Sequence, residues 1–254
     1  MQSPRSAPPA NDLIEALPRR DREHLLIGCK RVHLVCSDVI AEPGKRIRHV
    51  YFPTEGFVSL LTPSDGCASL EVGLVGSEGM VGTTLMLGVD VSPLRALVQG
   101  TGTALRMDAA PFLRVVAGSD ALQRELNRYL YVSTVQLAQI AACTHFHLLE
   151  ERLARWLLMT HDRARADEFH LTHELIAMML GVRRAGVTTA AGGLQRRRLI
   201  RYHRGRITIL DRSGLEAVAC GCYRSAKSVH DRILGKIGAE SREASSRSSS
   251  SLGE

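Results

Sequence analysis

Nine arginines (Arg183, Arg184, Arg196, Arg197, Arg198, Arg201, Arg204, Arg206 and Arg212) lie between Thr172 and Arg212, with only Glu174 and Asp211 against them. That local excess equals the formal net charge of the whole 254-residue chain, +7. Basic charge confined to one short segment suits a polyanion, because guanidinium forks match both phosphate oxygens and the O6/N7 edge of guanine. On charge alone, a solvated basic face is the alternative. Other residues of reactive type form weaker patterns. Cys143, His145, His147 and Glu150 are metal-ligand types, but only Cys143/His147 and His147/Glu150 share a face at helical spacing, so an ordinary helix junction is the stronger reading. Cys220 and Cys222 stand two apart on an expected helix and so point to different faces, which argues against a joint metal site. His173-Glu174 opens like a zinc-protease motif, yet Ala177 occupies the place of the second histidine. Gly100-Thr101-Gly102 lacks the third glycine of a dinucleotide loop, and Gly76-Ser77-Glu78-Gly79 is not a nucleophile elbow. No catalytic constellation emerges, so the expectation is a non-enzyme without metal or cofactor.

The elements that must carry the arginines can be read from caps and periodicity. Thr172 is a good N-cap, and Leu175, Ile176, Met179 and Leu180 give the helix after it an apolar face. Gly181 ends that helix where a turn needs positive φ, and Val182 can plug the turn. A second helix, from Arg183 to about Arg197, turns Val187, Ala191 and Leu194 inward and leaves Arg183, Arg184, Thr188 and Thr189 outward near its start. Two β-branched runs around Arg204-Gly205 then form a hairpin, whose arginines suit phosphate contact. Two helices about a glycine turn, backed by a hairpin, make a winged helix-turn-helix that would enter the major groove of double-stranded DNA with the start of its second helix. The expected DNA-binding residues are Thr172, Arg183, Arg184, Gly186, Thr188, Thr189, Arg201, Arg204 and Arg206. Gly192 and Gly193 conflict with this reading, since each costs about 1 kcal/mol against Ala inside a helix; close packing on a neighbouring helix would account for them.

The rest of the chain reads as α+β. Residues 1–11 are Pro/Ser-rich and expected to be disordered; Asn11 or Asp12 can cap a short helix carrying Leu13, Ile14, Leu17 and Leu25. From Val32 to Met107, short apolar segments alternate with turn signals at Glu42-Pro43-Gly44, Thr54-Glu55-Gly56, Pro63-Ser64-Asp65-Gly66 and Gly100–Gly102, with tight corners at Gly73, Gly76, Gly79 and Gly82. This predicts many short strands in a roll or barrel. Asp108 can cap a short helix through Val116, and Ser119 or Asp120 a much longer one with apolar residues on more than one side. Such a helix usually packs on its own domain and on a second copy of the chain, so a homodimer is expected, with a long internal core helix as the alternative. A further helix runs from about His147 to Ala164. The boundaries are a sheet domain over 12–118, a dimer helix over 119–146, the DNA-binding domain over 147–224, and a helix end with a disordered Ser-rich tail over 225–254. Aromatic content of 4% argues against a stacking platform for single strands. The six cysteines form no Cys-x-x-Cys pair, the N-terminus lacks a signal core, and no run is long enough to span a membrane. A reduced, cytoplasmic protein with no membrane partner is the expectation.

From about Val32 to Leu210 the residues resemble the cyclic-AMP-receptor-like (Crp/Fnr) family of bacterial transcription regulators, above all over the ungapped Thr172–Ile200 stretch. The resemblance implies a jelly-roll, cyclic-nucleotide-binding-like effector domain, a long dimerisation helix and a C-terminal winged helix. It also brings in RNA polymerase as a candidate partner and an unidentified small-molecule effector. Where the family's recognition helix often reads Arg-Glu-Thr-Val, this chain has Arg184-Ala185-Gly186-Val187, which implies a different operator. The family's cyclic-nucleotide pocket carries Gly-Glu for the ribose and an Arg for the phosphate. Here the matching stretch is Gly82-Thr83-Thr84 without a Glu, and Arg95 lies near the phosphate position. The N-terminal cysteine cluster of the iron–sulfur members is absent. Two rival readings remain. One is a small-molecule-binding roll whose helical C-terminal domain binds protein rather than DNA. The other is a cupin-like metalloenzyme, for which His33 and His49 are the sole histidines between Val32 and Met107.

Overall fold

The computed structural model describes residues 10–62 and 69–235. The tail beyond 235, most of the N-terminal stretch, and the expected turn at Pro63–Gly66 lie outside the described residues. Two short helices open the chain, α1 (Asp12–Glu15) and α2 (Arg19–Ile27). The sequence suggests one helix here; Pro18 starts a second, since its ring fits a helix start but not an interior. Five strands follow: β1 (Lys30–Leu34), β2 (Val39–Ala41), β3 (His49–Thr62), β4 (Leu70–Val75) and β5 (Arg95–Asp108). They form one antiparallel sheet in the order β1-β5-β3-β4, with β2 also paired to β5.

This sheet departs from the expected run of short strands. β3 and β5 are each 14 residues long and pair along most of their length, broken by register shifts between Pro53 and Val58. The turn-like signals at Gly56 and Gly100–Gly102 therefore mark bulges inside long strands. Gly56 has φ +73°, and a Cβ there would lie 2.2 Å from the Gly100 carbonyl oxygen. Only glycine admits that approach, which bends both strands and curls the sheet.

The helical half begins with α3 (Ala109–Ala117) and α4 (Asp120–Phe146). Ser119 caps α4 by accepting from the Leu122 N–H, 3.1 Å away. At 27 residues, α4 spans about 40 Å. One face is buried through Leu122, Leu126, Tyr129, Val132, Ile140 and Cys143, while Tyr131 and Leu137 stay about half exposed. His147 and Leu148 are extended and break the helix; α5 (Leu149–Ala164) follows. β6 (Glu168–His170), α6 (His173–Leu180), α7 (Arg184–Arg196), β7 (Ile200–His203), β8 (Arg206–Ile209), α8 (Arg212–Val218) and α9 (Cys222–Ile233) complete the described residues. β6, β8 and β7 form a second, three-stranded antiparallel sheet.

One apolar core joins the halves, with Phe57, Leu61 and Leu74 of the sheet packed with α5, α6 and α7. At its centre Trp156 Nε1 donates to Glu71 Oε1 at 2.8 Å, and Ser59 Oγ donates to Glu71 Oε2 at 2.6 Å. Burial pushes the Glu71 carboxyl up to about 7, against the two hydrogen bonds and the more distant charges of Arg155 and Arg163, which favour the ionised form. Arg163 also pairs with Glu78 across the same junction at 2.7 Å.

Candidate nucleic-acid interface

α6 and α7 are built as their caps and apolar spacing predict. Thr172 Oγ1 accepts from the Leu175 N–H at 3.2 Å. Ile176, Ala177, Met179 and Leu180 are buried. Gly181 adopts φ +64°, and the Val182 N–H closes the helix on the Ala177 carbonyl at 3.0 Å. Val187, Ala190, Ala191 and Leu194 fasten α7 to the core. The opposite side, with Arg183, Arg184, Ala185, Thr188 and Thr189, is exposed.

Few local partners restrain this exposed end. Arg184 Nε is 3.9 Å from Glu174 Oε2, a solvent-exposed pair of little energetic weight. Thr188 and Thr189 return their hydroxyls to the carbonyls of Arg184 and Ala185. Thr188 also meets His173 Nδ1 at 3.0 Å, and the His173 ring stacks on Tyr202 at 4.0 Å. Burial, then the Arg184 charge, lowers the His173 pKa and favours the neutral ring. This stack ties α6 to the hairpin and fixes the hairpin beside α7.

The β7–β8 turn is Arg204-Gly205, with φ +47° and +78°, the paired left-handed geometry of a tight two-residue hairpin. Arg201 and Arg204 are exposed, and Arg206 is paired with Glu168 at 3.1 Å on the surface. The guanidinium side chains of α7 and of the hairpin thus share the same end of the domain.

Two expected site residues also have structural tasks. Thr172 spends its hydroxyl on the helix cap. Gly186 is half-buried, and a Cβ there would sit 2.9 Å from Leu149 Cδ2, so its smallness serves the approach of α7 to α5. The unexplained glycine pair resolves in part: Gly193 lies against Glu150, where a Cβ would meet the carboxylate, while Gly192 has only the Arg196 side chain nearby and nothing explains it.

The sheet domain holds a cavity of about 310 Å³ lined by Gly82, Thr83 and Thr84 together with Val39–Glu42, Lys45–His49 and Met80. Arg95 is not in its lining; its Nε donates to Glu42 Oε2 at 3.1 Å. Thr84 Oγ1 is buried without a hydrogen-bond partner.

The cysteine expectation is corrected. Residues 219–221 interrupt the helix, placing Cys220 in a turn and Cys222 at the start of α9. Both thiols turn inward to Cys143 and His147, while His145 stays exposed beside Phe146 and Glu150 lies near Arg197. Sequence spacing missed this cluster because its halves are 73 residues apart. The described cysteines are all free thiols.

Residues 151–218 match the Crp-like helix-turn-helix domain family. No curated relative matches. Among solved structures, a transcriptional regulator assigned to the Crp/Fnr family from Eubacterium rectale superposes with TM-score 0.65 at 18% identity, covering 81% of this chain and 96% of that one. The c-di-GMP-responsive global regulator CLP of Xanthomonas campestris gives 0.64 at 16% identity over 76% and 99%. A Crp/Fnr-family regulator of Thermus thermophilus gives 0.62 at 24% identity over 75% and 98%. Residues 151–218 are thus a Crp-like helix-turn-helix domain, and the chain as a whole has the fold of these solved regulators.

Proposed function

We propose that two copies of this chain bind a pseudo-palindromic duplex site, each inserting the start of α7 into one of two successive major grooves about 34 Å apart. The observation that carries this reading is the exposed N-terminal end of α7, where Arg183, Arg184, Thr188 and Thr189 project with few local partners. Arg184 reads a base edge; Arg201, Arg204 and Arg206 hold phosphates beside it. The dimer forms along α4, where Tyr131 and Leu137 are exposed apolar residues and Thr134, Ala138 and Ala141 are small enough for close helix approach. The cavity beside Gly82–Thr84 takes the signal, a small molecule bound without the ribose-directed carboxylate of cyclic-nucleotide binders.

Selection of bound duplexes from a random pool tests the reading. The wild-type chain should return a two-fold symmetric motif with half-sites one helical turn apart. Arg184→Ala should relax one position in each half-site and cost about 1–3 kcal/mol. An unchanged motif at full strength would remove Arg184 from base reading. Duplex affinity indifferent to salt would favour a protein partner for this domain.

A further inference from the structure

Cys143 Sγ, His147, Cys220 Sγ and Cys222 Sγ offer four ligand atoms that all lie within 4.8 Å of one another. Cys143 and Cys220 sulfurs are 3.5 Å apart, and His147 Nδ1 is 3.5 Å from Cys222 Sγ. We infer that these residues form a mononuclear, four-coordinate site for a soft divalent cation, Zn²⁺, that clamps the end of α4 to the α8–α9 turn.

The donor set argues for this ion. Three thiolates and one imidazole are the ligands of closed structural zinc sites, with bonds of about 2.3 Å to sulfur and 2.0–2.1 Å to nitrogen. Tetrahedral bonds of that length hold sulfurs roughly 3.8 Å apart, so the present separations need only small shifts. A disulfide needs sulfurs about 2.05 Å apart and would employ two of the three thiols, leaving the third and the imidazole without a task. All three cysteines are buried. Gln139 Nε2 donates to Cys222 Sγ at 3.0 Å, the outer hydrogen bond that steadies a coordinating thiolate.

A second observation is independent of the ligands. Arg152 and Arg155 of α5 are each only 7% exposed, and among the described residues neither forms an ion pair. The Nε of each lacks any hydrogen-bond partner; Arg152 reaches only the Leu180 carbonyl at 2.7 Å and Arg155 only Met159 Sδ at 3.1 Å. A buried guanidinium with no ion pair is costly unless a negative charge lies close, and the Glu71 carboxyl acts at a distance on Arg155 alone of the two. The Arg155 charge acts on Cys143, and both Cys143 and Cys220 act on Arg152. Binding converts Zn²⁺, three thiols and a neutral imidazole into a complex of charge −1, releasing three protons to solvent. That charge is the counterpart Arg152 lacks, and it adds to what Arg155 has from Glu71.

The clamp has a consequence for the fold. α4 carries the proposed dimer contact, and the extended His147–Leu148 link joins it to the DNA-binding half. An ion bound to both sides of that link sets the angle at which the second half leaves the long helix.

The test uses the full chain, purified with reductant and stripped with chelator, then titrated with Co²⁺ as a spectroscopic stand-in. One equivalent should bind, with the intense visible bands of tetrahedral cobalt and a sulfur-to-cobalt charge-transfer band in the near ultraviolet, both displaced by Zn²⁺. The melting temperature should rise with metal. Cys143→Ser and Cys222→Ser should each weaken binding by more than about 100-fold, beyond what loss of an outer partner does. Cys36→Ser, which alters an exposed thiol elsewhere, should bind as wild type. The wild-type titration stands even if a ligand variant fails to fold. Pale octahedral bands, no binding by the reduced protein at micromolar metal, or an iron–sulfur spectrum in anaerobic preparations would each overturn the assignment. Loss of duplex binding would not bear on it.

Discussion

Replacing Glu71 by Gln tests the junction between the sheet and the helical half. The carboxyl is fully buried between Ser59 and Trp156 and is pushed from an ordinary value of 4.5 up to about 7. Between those values the folded chain holds a proton the unfolded chain has released, so stability falls as pH rises through that window. At about 1.4 kcal/mol per pH unit, the loss from this one group is about 3 kcal/mol, complete above pH 7 and absent below 4.5. Gln has the same shape, keeps an oxygen for the Trp156 N–H and offers Ser59 an N–H, but does not titrate. Glu71→Gln should match wild type near pH 4.5–5 and exceed it by up to about 3 kcal/mol at pH 8. Urea unfolding from pH 5 to 8 at matched protein concentration measures this, and the chain's single tryptophan, Trp156, reports it from within the hydrogen bond. A difference that stays constant with pH, or a variant weaker than wild type at pH 8, would refute the reasoning.

Gly181→Ala should lower stability by about 1–3 kcal/mol, because φ is +64° and the new Cβ would sit 2.9 Å from Leu70 Cδ1; thermal unfolding would show it. Leu137→Glu should shift the sedimentation profile from dimer to monomer, while circular dichroism stays unchanged; an unaltered dimer would place the interface elsewhere. Arg204→Ala should weaken specific and random duplexes alike and reduce the slope of log affinity against log salt by about 1. An unchanged slope would take the hairpin off the phosphates.

The sequence by itself determined the helix-turn-helix end. The Thr172 cap, the Gly181 break, the Val187/Ala191/Leu194 face and the Arg204-Gly205 turn are local signals, each acting within a few residues, and they suffice to orient Arg183 and Arg184 outward. The sheet was legible as a class but not in its strand lengths, because a glycine that ends a strand and one that bulges it look alike until the partner strand is known; Gly56 is such a bulge only because Gly100 lies across from it. Tertiary structure alone decided the rest. His147 and Leu148 break α4 without proline or glycine. The same break turns His147 toward thiols more than 70 residues away, and the Glu71–Trp156 bond joins residues 85 apart. Contacts of that range depend on how whole elements dock, and no spacing along the chain encodes them.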